Sequence, residues 1–138
     1  MSRFGSLSGM RHIKQVGIRA RDVDASGHVA RASVALYFEE ARDEWLEVVG
    51  GSPEVALTYL VRRVDITYEA EIDPAVGSVR VAIELDGLGT TSIRLRETLT
   101  VGADEVAATN RSVLVHVDTA GTAAVPLPED FRARLTGA

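Results

Sequence analysis

Residues 21–42 read "RDVDASGHVARASVALYFEEAR". Their first part is polar and turn-forming, and gathers Asp22, Asp24, Gly27 and His28. From about Ala32, apolar residues recur at Val34, Tyr37, Phe38, Ala41, Trp45 and Val48, with Glu39, Asp43 and Glu47 opposite. That spacing predicts a long amphipathic helix with one apolar stripe. "GGSP" is expected to end it, because Gly50, Gly51 and Pro53 are helix stop signals. Leu36 and Leu46 fall off the stripe, so another surface is expected to cover them.

Working outward, "HIKQVGIRARD" alternates, with Val16, Ile18 and Ala20 on one face, and predicts a strand that "DASG" breaks. Residues 1–10, rich in Gly and Ser, are expected to form a flexible tail before a single domain spanning 11–138. Downstream, "ALTYLVRRVDITYEA" reads as a strand and "AEIDPAVG" as a loop. "SVRVAIELDGLGTTSIRLRETLTV" reads as a hairpin turning at Asp86-Gly87-Leu88-Gly89. "EVAATNRSVLVHVD" is apolar on both faces near Val113–Val117, which places it inside the sheet. "PEDFRARL" closes the chain as a short helix with Pro128 near its start. One early helix among antiparallel strands must cover a face of the whole sheet. The opposite face or the edges then stay open, so a homo-oligomer is expected.

Composition narrows the function. A chain of 138 residues holds one domain with a real core. A net charge of −5 argues against coating nucleic-acid phosphates. The absence of cysteine excludes disulfides, thiol nucleophiles and thiolate metal sites. No apolar run reaches membrane-spanning length and "MSRFGSLSGM" lacks a signal core, so a cytoplasmic protein without membrane contact is expected.

Asp22 and Asp24 would share a face if the first strand ran through them. A solvated acidic turn is the plainest use of such a pair. The aspartyl phosphotransferase pattern D-x-D needs a buried parallel strand before it, whereas "GIRARD" alternates with arginines. Carboxylate and imidazole bind divalent ions, but nothing clusters with Asp22, Asp24 and His28, and His12 and His116 stand alone. No metal or other cofactor is therefore expected. "GSLSG" carries Leu7 where a nucleophile elbow needs serine. A Ser26–His28–Asp24 triad is sterically poor, since three neighbours in one turn rarely converge. Another use fits the whole stretch. A helix start presents unpaired amides and a positive dipole end. Beside a carboxylate, such amides can hold a carbonyl oxygen while the acid works on its carbon, which is the apparatus of acyl transfer.

"RARDVDASGHVARASVALYFEEARDEWL" resembles the first strand and central helix of the 4-hydroxybenzoyl-CoA thioesterase-like branch of the hot-dog superfamily. That pattern is an acid, two residues, glycine, often His-Val, then an aromatic-acid-acid-Ala-Arg helix. "RRVDITYEAEIDPAVGSVRV" is similar to the family's second long strand and following loop, and "VLVHVDTAGTAAVPLPEDFRARL" to its last strand and closing helix. The resemblance implies an α+β hot-dog fold, an antiparallel sheet wrapped around one long central helix with a short C-terminal helix. It implies homodimers or homotetramers with active sites between subunits, and hydrolysis of an acyl thioester of coenzyme A or an acyl carrier protein. Asp24 is the implied general base or nucleophile, and the backbone amide of Arg31 the oxyanion donor. Gly27 and His28 support the loop, and Tyr37, Arg62 and Arg63 meet substrate, the arginines being suited to the phosphates of coenzyme A. Asp22 is secondary. One departure stands out: relatives with "GHV" commonly continue with two asparagines, where this chain has Ala30 and Arg31. Ser33 is then the expected helix cap, with a later helix start. The alternative is a non-catalytic hot-dog module that binds acyl ligands or partner proteins. A hot-dog dehydratase is set aside, since its histidine-bearing motif is not evident.

Overall fold

The structure is a computed structural model and describes residues 11–137; the tail expected over residues 1–10 lies outside them. Its strands are β1 (His12–Gly17), β2 (Tyr59–Tyr68), β3 (Ser78–Leu88), β4 (Ser92–Val101) and β5 (Glu105–His116). The α-helices are α1 (Arg31–Gly50) and α2 (Glu129–Thr136), and 3₁₀ turns span Ala20–Asp22, Pro53–Thr58 and Pro74–Val76. The strands form one antiparallel sheet in the order β1-β3-β4-β5-β2. Alternation puts Val79, Val81 and Ile83 of β3, and Ile93, Leu95 and Leu99 of β4, on the face that α1 covers. Tyr37, Phe38, Ala41 and Trp45 of α1 are wholly buried there. A sheet wrapped around one long helix, closed by a short C-terminal helix, is the hot-dog fold.

Helix α1 ends where Gly51 takes φ 80° and returns its amide to the Glu47 carbonyl, a left-handed cap that glycine adopts without steric cost. The apolar stripe departs from the expected one near this end. Leu46 and Val49 are buried, while Val48 is 63% exposed. The Pro53–Thr58 turn and α2 close over this end of α1 and cover Leu46 and Val49. Leu36 remains exposed.

Two other boundaries move. β1 stops at Gly17, and the chain enters a 3₁₀ turn before Asp22, so Asp22 and Asp24 do not share a strand face. The β3–β4 turn is closed by the Gly89 amide donating to the Ser92 carbonyl. Asp86-Gly87 instead lies within β3 at an irregularity where Gly87 pairs with Arg94. A side chain at 87 would meet the Arg94 guanidinium, the far end of a flexible side chain that would have to shift. β5 is interior, flanked by β4 and β2, as its sequence suggested.

A charged cluster lies beneath α1. Glu97 of β4 is wholly buried and accepts from Arg42 Nη1 at 2.9 Å, Asn110 Nδ2 at 2.7 Å and Ser112 Oγ at 2.6 Å. Asn110 in turn accepts from the Asp65 amide of β2 at 2.9 Å. Burial raises the Glu97 carboxyl above its usual range, against the pull of Arg42 and the two neutral donors. Removing one partner of a buried pair strands the other charge, which costs about 3–5 kcal/mol. Arg42→Met alone is expected to lose stability of that order in urea unfolding. Arg42→Met with Glu97→Leu is expected to lose clearly less, since no unpaired charge remains.

Candidate active site

The turn after the first 3₁₀ segment is built around one oxygen. Asp24 Oδ1 accepts from the Ser26 amide at 2.9 Å, Ser26 Oγ at 2.6 Å and the His28 amide at 3.2 Å. The Asp24 amide donates to the His28 carbonyl, and the Gly27 amide to the Asp24 carbonyl, closing the loop. Gly27 adopts φ 87°, where a side chain would be strained. The Ser26 hydroxyl, more than any other donor, lowers the Asp24 carboxyl below its ordinary range, so Asp24 is charged at neutral pH. Asp24 is exposed, and its Oδ2 accepts no hydrogen bond among the described residues. His28 Nδ1 lies 2.8 Å from Glu71 Oε2 and 3.2 Å from Ser26 Oγ, so the ring braces the turn against the loop after β2.

From this turn the chain runs straight into α1. Ala30 is extended, with φ −66° and ψ 146°, and supplies no side-chain cap. The helix nevertheless starts at Arg31, so it is not delayed to the expected cap at Ser33. Ser33 Oγ donates instead to the Asp22 carbonyl. The Ala30 amide donates to that same carbonyl, and the Ser33 and Val34 amides return to the Ala30 carbonyl. Among the described residues, the Arg31 and Ala32 amides have no acceptor. Asp24 and Arg31 line one cleft of about 480 Å³ with Val29, Val34, Tyr68 and Ile72. The Arg31 guanidinium carbon lies 5.2 Å from the centroid of the Tyr68 ring, and Tyr68 Oη donates to the Arg31 carbonyl.

The structure thus brings Asp24, Gly27, His28 and Arg31 together. It does not bring Tyr37 to the cleft, although the resemblance implied contact with substrate. Tyr37 is wholly buried, and its hydroxyl donates to Asp22 Oδ2 at 2.6 Å. Arg62 and Arg63 are exposed on β2. Arg63 lines a separate cleft with Arg94 and Arg111, on the sheet face turned away from α1. Sequence reasoning passed over Tyr68, Glu71 and Ile72, which come from the end of β2 and the following loop. Their one signal was proximity to "RRVDITYEAEI", a stretch otherwise read only as strand and loop. Among the described residues, no group of three or more His, Asp or Glu could share a metal ion, and no helix is long and apolar enough to cross a membrane.

Residues 18–135 match the family model of the thioesterase-like superfamily. No curated protein sequence matches the chain. Among solved structures, a thioesterase of Thermus thermophilus, complexed with coenzyme A and zinc, is 31% identical with a TM-score of 0.80, covering 89% of this chain and 95% of its own. The PA2801 protein of Pseudomonas aeruginosa is 28% identical with a TM-score of 0.78, over 88% of this chain and 95% of its own. Slr0204, a 1,4-dihydroxy-2-naphthoyl-CoA thioesterase of Synechocystis, shares the fold at 14% identity, with a TM-score of 0.78 over 91% and 95% of the two chains. The match spans the Asp24 turn, the central helix and strands β2 to β5, and the chain belongs to the thioesterase-like superfamily.

Proposed function

We propose that the protein hydrolyses an acyl thioester of coenzyme A or an acyl carrier protein, with Asp24 as the working carboxylate. The observation that carries this reading is the pairing, in one cleft, of a charged carboxylate with a free oxygen and a helix start whose first amides are open. The thioester carbonyl oxygen is held by the Arg31 amide, at the positive end of the α1 dipole. Asp24 Oδ2 directs water onto the carbonyl carbon, or attacks that carbon itself and is released by water. Either route breaks the carbon–sulfur bond and yields a carboxylic acid and a free thiol. Gly27 permits the turn and His28 braces it.

Coenzyme A is favoured as the thiol, since the Thermus relative was solved with it. Arg62 and Arg63 are the arginines offered to its phosphates. A second copy of the chain is the expected partner. β2 ends the sheet with an unpaired edge and exposes Leu60, Val61, Val64 and Tyr68. Such an edge is a template for antiparallel pairing. A partner on β2 would also border the Asp24 cleft, because Tyr68 and the loop after it form one wall.

A panel of acyl-CoAs with aromatic, short and long acyl groups tests the activity. Asp24→Asn is expected to cut kcat by ~10²–10⁴-fold on the best substrate while the fold is kept. Near wild-type turnover in a folded Asp24→Asn protein would overturn the assignment. Uniform inactivity of the wild type, with acyl-CoA binding intact, would favour a non-catalytic acyl-binding module. The pH profile gives a second check. Asp24 works ionised and its pKa is lowered, so the acid limb of kcat/KM should lie below the ordinary aspartate range. Ser26→Ala removes the largest cause of that lowering and should move the limb to higher pH.

A further inference from the structure

Asp22 lies two residues before the proposed catalytic acid, yet its surroundings are opposite. Asp24 is exposed, whereas Asp22 is 4% exposed. Its Oδ2 accepts the Tyr37 hydroxyl at 2.6 Å and the Arg19 amide at 2.9 Å. Its backbone carbonyl accepts the Ala30 amide at 2.8 Å and Ser33 Oγ at 3.2 Å, and the carboxylate, through Arg19 and Tyr37, fixes where that carbonyl sits. One residue therefore grips the chain before the turn, the residue that precedes α1, and the first and second turns of α1.

The grip is selective. An uncapped helix leaves its first amides to find acceptors among side chains or solvent. Here the Asp22 carbonyl takes the Ala30 amide and the Ser33 hydroxyl, while the Arg31 and Ala32 amides have no acceptor among the described residues. Ala30 offers no side chain for this task, so the attachment of the helix start to the Asp24 turn runs through Asp22. The paired backbone of Val23 and Val29 closes the same loop from the other side.

We propose that Asp22 is the positioning residue of the site: it clamps the start of α1 against the Asp24 turn and fixes the distance between the carboxylate and the open amides. It touches no substrate and acts through Tyr37, Ala30 and Ser33. The inference rests on Asp24 being the working acid, and it makes a demand that this assignment alone does not. Displacing a reacting group by about 1 Å can cost ~10²-fold in rate. A slackened clamp should therefore appear in kcat rather than in KM.

The test compares Asp22→Asn, Tyr37→Phe and the double variant with wild type and Asp24→Asn, reading steady-state kinetics and backbone amide exchange by NMR. Asp22→Asn keeps the size of the side chain but replaces the charged acceptor of the Tyr37 hydroxyl and Arg19 amide with a neutral one, which holds them more weakly. It is expected to lower kcat by ~10–10²-fold with KM nearly unchanged. Exchange at Ala30 and Ser33 should quicken while the sheet amides stay protected. Tyr37→Phe removes one hydroxyl and leaves its ring in the core; its smaller loss of kcat should not multiply with that of Asp22→Asn, because both break the same bond. Wild-type kcat and wild-type exchange at Ala30 in a folded Asp22→Asn protein would overturn the inference. So would a loss seen only in KM, or fully multiplicative losses in the double variant. Should Asp22→Asn fail to fold, wild-type kcat and exchange in Tyr37→Phe would overturn it equally. An active Asp24→Asn enzyme overturns the catalytic assignment and, with it, the role given to Asp22. If wild type hydrolyses no substrate, that assignment falls alone, and exchange at Ala30 and Ser33 decides the clamp.

Discussion

The buried contact between Arg42 and Glu97 governs where everything else can sit. An apolar helix face on an apolar sheet carries no directional preference of its own, because hydrophobic burial is non-directional. A charge pair out of water cannot slide, since displacement exposes each ion to an unsatisfied interior. Arg42 ties the middle of α1 to β4, and Asn110 and Ser112 extend the tie through β5 to the Asp65 amide on β2. With the helix held at its centre, its first turn arrives at a fixed place beside the Asp24 loop. The two attachments divide the labour: one sets the helix on the sheet, and the other, at Asp22, sets its end on the turn.

The fold was largely readable in sequence because its decisive signal is periodic. Tyr37, Phe38, Ala41 and Trp45 fall at helical spacing and are all fully buried. The errors lie where a third element overrides periodicity. Val48 fits the stripe on paper but is exposed, because packing from the Pro53–Thr58 turn and α2 favours Leu46 and Val49. Asp86-Gly87 has the composition of a hairpin turn, yet the strand passes through it and pairs the glycine with Arg94. Dipeptide chemistry says that the backbone can bend there, not that it must.

The site was less legible, for a physical reason. Asp24, Gly27, His28 and Arg31 are close in sequence, so one local motif can reveal them. Tyr68, Glu71 and Ile72 reach the same cleft only because β2 runs along β5 and returns its end to the start of α1. The resemblance makes Asp24 the matching acid and Asp22 secondary, and a continuing strand would have put the two on one face. The 3₁₀ turn at Ala20–Asp22 rotates Asp22 inward, where a carboxylate persists only with donors. Burial raises its pKa, but the Tyr37 hydroxyl and Arg19 amide outweigh that and leave it below the ordinary range. The two acids differ in exposure, which their spacing does not encode.

The exposed strand at the end of the sheet carries one more consequence, for solubility. Leu60, Val61, Val64, Ile66 and Tyr68 would make β2 an aggregation-prone segment if they ran together, since cross-β stacking needs six or seven residues of high β-propensity and low charge. Arg62, Arg63 and Asp65 break that run into pieces too short to stack. These charges therefore guard the chain while it is newly made and its edge is bare, whatever they later bind. A variant that removes both arginines tests the proposed phosphate binding and colloidal behaviour together, and only Arg-to-Lys exchange, which keeps the charge and loses the planar fork, separates the two.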